Sequence, residues 1–396
     1  MEVSGRWTLR TYAARALTGV LAVAAVVSVA SGMRHAWTVG ANDFQWSGAH
    51  LLGRGVDAYQ VVIGGHLSQI ALTQYPNYAP LLYVVLLPFG LLDLQAVTPV
   101  YSTATVLGLL GAAVLVGRTV GLRAWGLVAF LGLFGLAFPT WVVLASGQQA
   151  GPTLVVAVLG LWATRERWAG SALAVAVAKY SFAPLMLVPL LRRQWVTLAI
   201  VAGAHAAALV VFCMATGSSP VRTLVAPLHV ASQTQARGAG DVITLSRLLG
   251  APGALGMLLG AGALVLLGWF ARSVLAEGDW VECLGVTSLI SLVVFPHLYY
   301  DYCFLLPVLG CAVRRRGAAR TLLLAVVLLC WYVVQIPGLW PYEYQVSGVT
   351  VTGLALLGAL VVLVRVPVVA PADAVPAGER GRAAPRSAAL PTAVGP

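Results

Sequence analysis

The apolar runs of this chain decide its class before any motif is read. They fall at about residues 14–33, 79–92, 98–117, 124–145, 150–164, 169–191, 196–215, 253–271, 280–296, 303–313, 321–339 and 348–366. A helix needs about 20 apolar residues to cross a bilayer, and fewer where the bilayer thins. Over the whole chain 60% of the residues are hydrophobic and 9% are charged, against roughly 25% charged in soluble domains. A soluble fold of this length has no interior large enough for so much apolar surface. The reading is an all-α polytopic membrane protein with about 12 crossings, forming a single transmembrane domain over residues 1–366. Residues 367–396, rich in Ala, Pro and Arg, read as a disordered cytoplasmic tail.

Charge then sets the orientation. The net charge of +11 does not point to nucleic acid, because the arginines sit in short clusters between apolar runs, the positive-inside pattern. Arg6, Arg10 and Arg15 precede the first run, which reads as a retained first transmembrane helix in preference to a signal peptide. They place the N-terminus in the cytoplasm of a plasma-membrane protein. Arg118, Arg123, Arg165, Arg167, Arg192, Arg193, Arg272, the Arg314–Arg316 cluster and the tail fall on the same side. The two long polar loops, 34–78 and 216–252, then lie outside with Gln148-Gln149, His297–Tyr302 and Trp340–Tyr344. Amphipathic helices are expected in the outer loops.

Two segments do not fit simple crossings. Between Tyr78 outside and Arg118 inside the number of crossings is odd, yet two apolar runs lie there; run 79–92 is therefore expected to be a half-helix. Run 169–191 begins and ends beside cytoplasmic arginines, so it goes out and comes back as two helices of about 15 Å each. Pro184 places the turn at Lys179–Pro184, because helices break before proline. Lys179 is the single lysine among 24 basic residues. In one crossing its ammonium would sit mid-membrane at a cost of a few kcal/mol; in a hairpin it becomes an exposed tip on the outer side.

The five cysteines lie in or beside apolar runs with no paired spacing, and read as small buried residues without a disulfide or metal framework. The histidines other than His297 have no ligand spacing and read as structural. Asp57 reads as a turn cap.

The polar motifs on the outer side fall in a definite order. Asp43 follows the first helix, with Ser47, His50 and Arg54 at roughly helical spacing and Gly55-x-Asp57-x-Tyr59 closing the stretch. Then come Tyr78-Ala79-Pro80-Leu81, Gly147-Gln148-Gln149, Lys179 after a small-residue helix, and His297-x-x-Tyr300-Asp301. This order resembles the GT-C glycosyltransferases, most closely glycosyltransferase family 87, membrane mannosyl- and arabinofuranosyltransferase-like proteins that use polyprenyl-phosphate sugars. The resemblance spans roughly residues 40–310. The chain departs from it at Ala79, where the family usually has proline, and at Tyr180, where the lysine is usually followed by proline.

The resemblance implies a GT-C fold, a polyprenyl-phosphate sugar donor, and a glycolipid or cell-envelope glycan acceptor at the outer face. No cofactor or metal is called for, since a lipid phosphate is already a good leaving group. It implies Asp43 as the general base, the alternative being a helix N-cap for the following stretch. His297 binds donor phosphate or orients the base; the alternative is an interfacial aromatic belt with a polar tip. Asp301, four residues on, can share a helical face with His297 and hold its tautomer. Lys179 reaches the donor phosphate as a point charge, or snorkels. Gln148 and Gln149 hydrogen-bond a sugar, with Tyr78, Tyr300, Arg54 and Arg237 as further substrate contacts. Arg222 and Arg247, also on the outer side, can meet lipid phosphates, the donor or an anionic acceptor. The competing class is a secondary transporter or lipid flippase, which also carries intramembrane charges and broken helices; the chain has no matching halves that would favour it.

Overall fold

The computed structural model describes residues 9–41, 44–71, 75–233, 241–333 and 346–367, and every regular element among them is helical. Helix α1 (Leu9–Thr38) is followed by two short helices of the first loop, α2 (Trp46–Gly53) and α3 (Ala58–Ile63). Asp57 caps α3, its Oδ1 accepting from the N–H groups of Tyr59 and Gln60 at 2.9 and 3.2 Å. Next come α4 (Pro80–Gly90) and α5 (Leu94–Thr119). Then α6 (Ala124–Leu136) and α7 (Phe138–Ser146) follow one path bent by 58° just before Pro139. Short helices follow: α8 (Ala150–Trp162), α9 (Glu166–Ala176), a 3-10 segment Tyr180–Met186, and α10 (Leu187–Leu191). The rest comprises α11 (Trp195–Thr216), α12 (Pro220–Gln233), α13 (Val242–Leu248), α14 (Gly253–Phe270), α15 (Arg272–Glu277) and α16 (Trp280–Val294). A further 3-10 segment, Tyr299–Leu305, leads to α17 (Leu306–Arg314), α18 (Gly317–Leu328) and α19 (Val346–Arg365).

Five of these helices are long and apolar enough to cross a membrane: α1, α5, α11, α14 and α19. The bent pair α6–α7 makes a sixth if it counts as one span. The sequence led to an expectation of about 12 crossings. The difference lies in apolar runs that fold as shorter helices, such as the 11 residues of α4 and the 15 of α16, about 16 and 22 Å long.

Four of the short helices pair into two hairpins. In the first, α9 and α11 start at the same end of the bundle: the carboxylate of Glu166 accepts from the N–H groups of Val196 and Thr197 at 3.1 and 3.3 Å. Eight residues further along both helices, His205 Nε2 lies 3.1 Å from the Ala174 carbonyl. The two helices therefore run parallel in register, and the chain must return through the 3-10 segment and α10 to begin α11. Extending that register puts Ala178 level with Leu209, about 21 Å from the start of a helix about 33 Å long. The turn carrying Lys179 thus stops roughly two-thirds of the way along α11.

The second hairpin is α16 and α17. Asp279 caps α16, accepting from Val281 N–H at 2.8 Å, and forms an ion pair with Arg314 at the far end of α17. Both helices accordingly have one end at the same base. The 15 residues of α16 reach about 22 Å, so the two hairpin tips meet at the same depth. The Ser291 hydroxyl joins them by donating to the Ser181 carbonyl.

Packing follows the rule for helices in lipid, where close approach at small residues does more than apolar burial. A Cβ on Gly160 of α8 would come within 2.8 Å of Leu173 on α9, and α16 sits at the centre with Leu284, Leu289, Ile290 and Val294 fully buried.

The first hairpin corrects one expectation. Its tip is not an exposed outer turn: the Lys179 side chain is 12% exposed and Ser181 is buried. The tip is sunk because the second hairpin closes over it.

Candidate active site

Lys179 follows the end of α9, where the backbone leaves the α-helical path for the 3-10 segment. Its ammonium forms an ion pair with Asp301 Oδ1, and the other carboxylate oxygen, Oδ2, lies 2.8 Å from His297 Nδ1. One carboxylate thus bridges the lysine of one hairpin and the histidine of the other. Because Nδ1 faces a carboxylate, it carries a proton and donates it. His297 Nε2 lies 3.1 Å from both the hydroxyl and the carbonyl oxygen of Ser291. His297 and Asp301 are both buried. The lysine nitrogen also lies 5.1 Å from the Tyr300 ring centre and 5.4 Å from that of Phe182, within cation–π range. Phe182 in turn stacks on Phe304 at 3.8 Å.

The glutamine pair is the floor beside this cluster. Helix α7 ends at Gly147 with φ +71°, a left-handed conformation that favours glycine. A Cβ there would also strike Ala41 and Phe44 at 2.8 and 3.1 Å, so the first loop lies directly against this turn. On the other side, Cys303 Sγ lies 3.9 Å from the Ala150 carbonyl, two residues along from Asp301. Gln148 and Gln149 are therefore held between the first loop and the 3-10 segment that bears Asp301. Both side chains are buried, and among the described residues Gln148 Oε1 and Gln149 Nε2 have no hydrogen-bond partner. Leaving such groups unmet costs about 1–3 kcal/mol each, so these amides suit a hydroxyl-bearing ligand.

Tyr78 supports the site through its backbone. Its carbonyl accepts from the Tyr59 hydroxyl at 2.6 Å, and the next residue, Ala79, donates to the Ala178 carbonyl at 2.9 Å beside Lys179. Tyr83 links this strip to Gln45, donating to its Oε1 at 3.0 Å. Tyr300 is buried against the lysine. Arg54 is not drawn in: it is exposed just past α2. Asp43 and Arg237 lie outside the described residues, as do Trp340–Tyr344 and the tail from residue 368. His50 is structural, 2.8 Å from the Gly90 carbonyl and stacked on Trp46. All five cysteines are unbridged and buried.

Two functional-looking residues escape a reading of the sequence. Ser291 sits inside an apolar run with nothing to mark it. Asp241, the one acid in the second long loop, is buried; Oδ1 caps α13 through Thr244 N–H at 2.7 Å, while Oδ2 has no partner among the described residues. Burial pushes this carboxyl up to about 7. Among the described residues no three His, Cys, Asp or Glu side chains form a group able to hold a metal ion.

Together these features define an all-helical membrane protein in which Lys179, Asp301 and His297 gather at the meeting of two short hairpins. Residues 75–296, more than half of the chain, match the model of glycosyltransferase family 87. The chain belongs to that family and is, at that level, a membrane glycosyltransferase. The match takes in Tyr78, Gln148, Gln149 and Lys179 and ends one residue before His297. No curated protein and no solved structure matches the chain.

Proposed function

We propose that the protein is a GT-C type transferase that moves a sugar from a polyprenyl-phosphate donor to a glycolipid or cell-envelope glycan at the outer face of the plasma membrane. Mannose is the first candidate for the sugar and arabinofuranose the second. The observation that carries this reading is the Lys179–Asp301–His297 cluster near Gln148 Oε1 and Gln149 Nε2, buried atoms with no hydrogen-bond partner among the described residues. Such a site offers a cation for a phosphate and neutral hydrogen-bonding groups for sugar hydroxyls.

The reaction is one displacement with inversion. The acceptor hydroxyl oxygen attacks the anomeric carbon, the carbon–oxygen bond to phosphate breaks, and its electron pair leaves on the phosphate. Asp43 takes the hydroxyl proton as general base. Lys179 meets the charge that grows on the departing phosphate, where a preorganised cation in a water-poor site is worth most. Asp301 holds the ammonium in place and fixes the His297 ring through Nδ1, and His297 supports the same end of the donor. Gln148 and Gln149 hold the sugar. Tyr78 and Tyr300 shape the path to Lys179, and Arg54 and Arg237 contact the incoming substrates.

A membrane assay with labelled polyprenyl-phosphomannose and polyprenyl-phosphoarabinose tests this, comparing wild type with Asp43→Asn. Transfer from one donor that falls sharply in the variant is the expected result. Transfer from neither donor, or undiminished transfer by the variant, overturns it. The depth of the ion pair along α11 would also suit a secondary transporter, and that alternative predicts solute uptake or lipid movement without a new glycosidic bond.

A further inference from the structure

Helix α12 presents two unlike faces. One is seated on the protein: Thr223, Ala226 and Val230 are buried. Cys213 Sγ lies 3.6 Å from the Thr223 hydroxyl, and the Ser218 hydroxyl just before the helix donates to Asp57, the cap of α3. These contacts fix the helix against α11 and α3. The other face carries Val221, Leu224, Val225 and Leu228, exposed at 74%, 65%, 54% and 47%. Their spacing of i, i+3, i+4 and i+7 draws one continuous apolar stripe. Left in water, each such side chain forgoes about 1.5–3 kcal/mol of burial.

What covers the stripe follows from the helix before it. Helix α11 is long and apolar enough to cross the membrane, and its last two turns expose Val210, Val211 and Met214, the last at 80%. That surface is suited to acyl chains. The chain then turns at Gly217, with φ +69°, and the apolar exposure resumes at Val221. Arg222, also exposed, flanks the stripe.

We propose that α12 lies in the membrane interface of the leaflet where α11 ends, its stripe among the upper acyl chains and Arg222 at the level of the headgroup phosphates. The helix thereby sets the depth of the site. It rests on α3, whose Tyr59 hydroxyl holds the Tyr78 carbonyl, and Ala79 holds the Ala178 carbonyl beside Lys179. This placement stands whether or not the chain transfers a sugar from a polyprenyl phosphate.

The test uses the full chain in proteoliposomes, with Leu224→Cys, Leu228→Cys and, as a control in the preceding turn, Ser219→Cys. Each is labelled with an environment-sensitive fluorophore, and labelling of the parent chain gives the background from its buried cysteines. Labels at positions 224 and 228 lose most of their fluorescence to lipids carrying a nitroxide high on the acyl chain, and little to aqueous iodide; the label at 219 shows the reverse. Iodide quenching at 224 and 228 equal to that at 219 overturns the proposal by placing the stripe in water. Protection from both quenchers overturns it by showing that a protein surface, such as a second copy of the chain, covers the stripe.

Discussion

The two ends of the hairpins hold buried charge in different ways. At the base, Arg315 is almost fully buried and fully engaged: it donates to Glu282 at 3.1 Å and to the carbonyls of Cys311, Leu363 and Val366. Arg192 likewise donates to the carbonyls of Leu275 and Gly278 and approaches Cys283 Sγ at 3.1 Å. Planar guanidinium groups with five donors each tie α10, α15, α16, α17 and α19 together there. At the tips, a single ammonium shares one carboxylate with one imidazole, and the Tyr300 and Phe182 rings lie beside it. The base is a closed knot; the tip keeps donor capacity that an incoming anion can use. Saturation separates a structural charge from one available for chemistry.

The sharpest way to break that comparison is to remove the cation at each end. Lys179→Met is expected to lower transfer by about 10²–10³-fold, the range seen when one preorganised donor to developing charge is lost. Some stability is lost as well, because Asp301 is left buried with His297 but without its cation, so transfer is read per folded molecule. Kinetics on protein of wild-type elution profile check this; activity within a few-fold of wild type would remove Lys179 from the site.

Arg315→Met is expected to do the opposite. It leaves Glu282 and three carbonyls without their donor, and breaking a buried pair from one side costs about 3–5 kcal/mol. The thermal midpoint in detergent should fall steeply, while transfer per folded molecule stays near wild type. A kinetic defect without a loss of stability would show that the base takes part in chemistry.

A smaller effect is expected at the joint between the hairpins. Ser291→Ala removes the hydroxyl that holds the Ser181 carbonyl and faces His297. The groups left unmet cost about 1–3 kcal/mol, and the histidine loses one of its positioning contacts. Ser291→Thr, which keeps the hydroxyl, should recover most of the activity; equal loss in both variants would point to packing alone.

Much of this arrangement was legible in the chain. Arginines at 167 and 192 forced run 169–191 to return to its starting side, and the Glu166–Val196 contact shows why that is so. His297 and Asp301 do meet, as expected, but not on a shared helical face: His297 lies in the extended stretch before the 3-10 segment that carries Asp301. What stayed hidden depends on depth and pairing. Periodicity cannot say that Lys179 is sunk, because the lid over it comes from residues more than 100 positions away. Apolar runs cannot be counted as spans when two short helices form one inward hairpin. Ser291 and Asp241 carry no local signal, since burial of a lone polar side chain is decided by what packs on it. Asp43, the base that the family resemblance implies, is outside the described residues.

Asp241 gives the last test, and extends the comparison to a buried carboxyl held by a backbone cap and not by an ion pair. No ion pair engages it among the described residues, and burial raises its carboxyl from 3.8 to about 7. The folded form thus holds the proton more tightly than the unfolded one. Its contribution to stability is full below about pH 3.8 and is lost as the pH rises to about 7, by proton linkage. Asp241→Asn keeps a capping side chain at the start of α13 and cannot ionise. Measured from pH 5 to 8, the stability of wild type relative to this variant should decline with rising pH and level off above about 7, read as protease resistance of the 216–252 loop or as a thermal midpoint. A constant difference across that range would mean that Asp241 is solvated, and that its unpaired oxygen meets water.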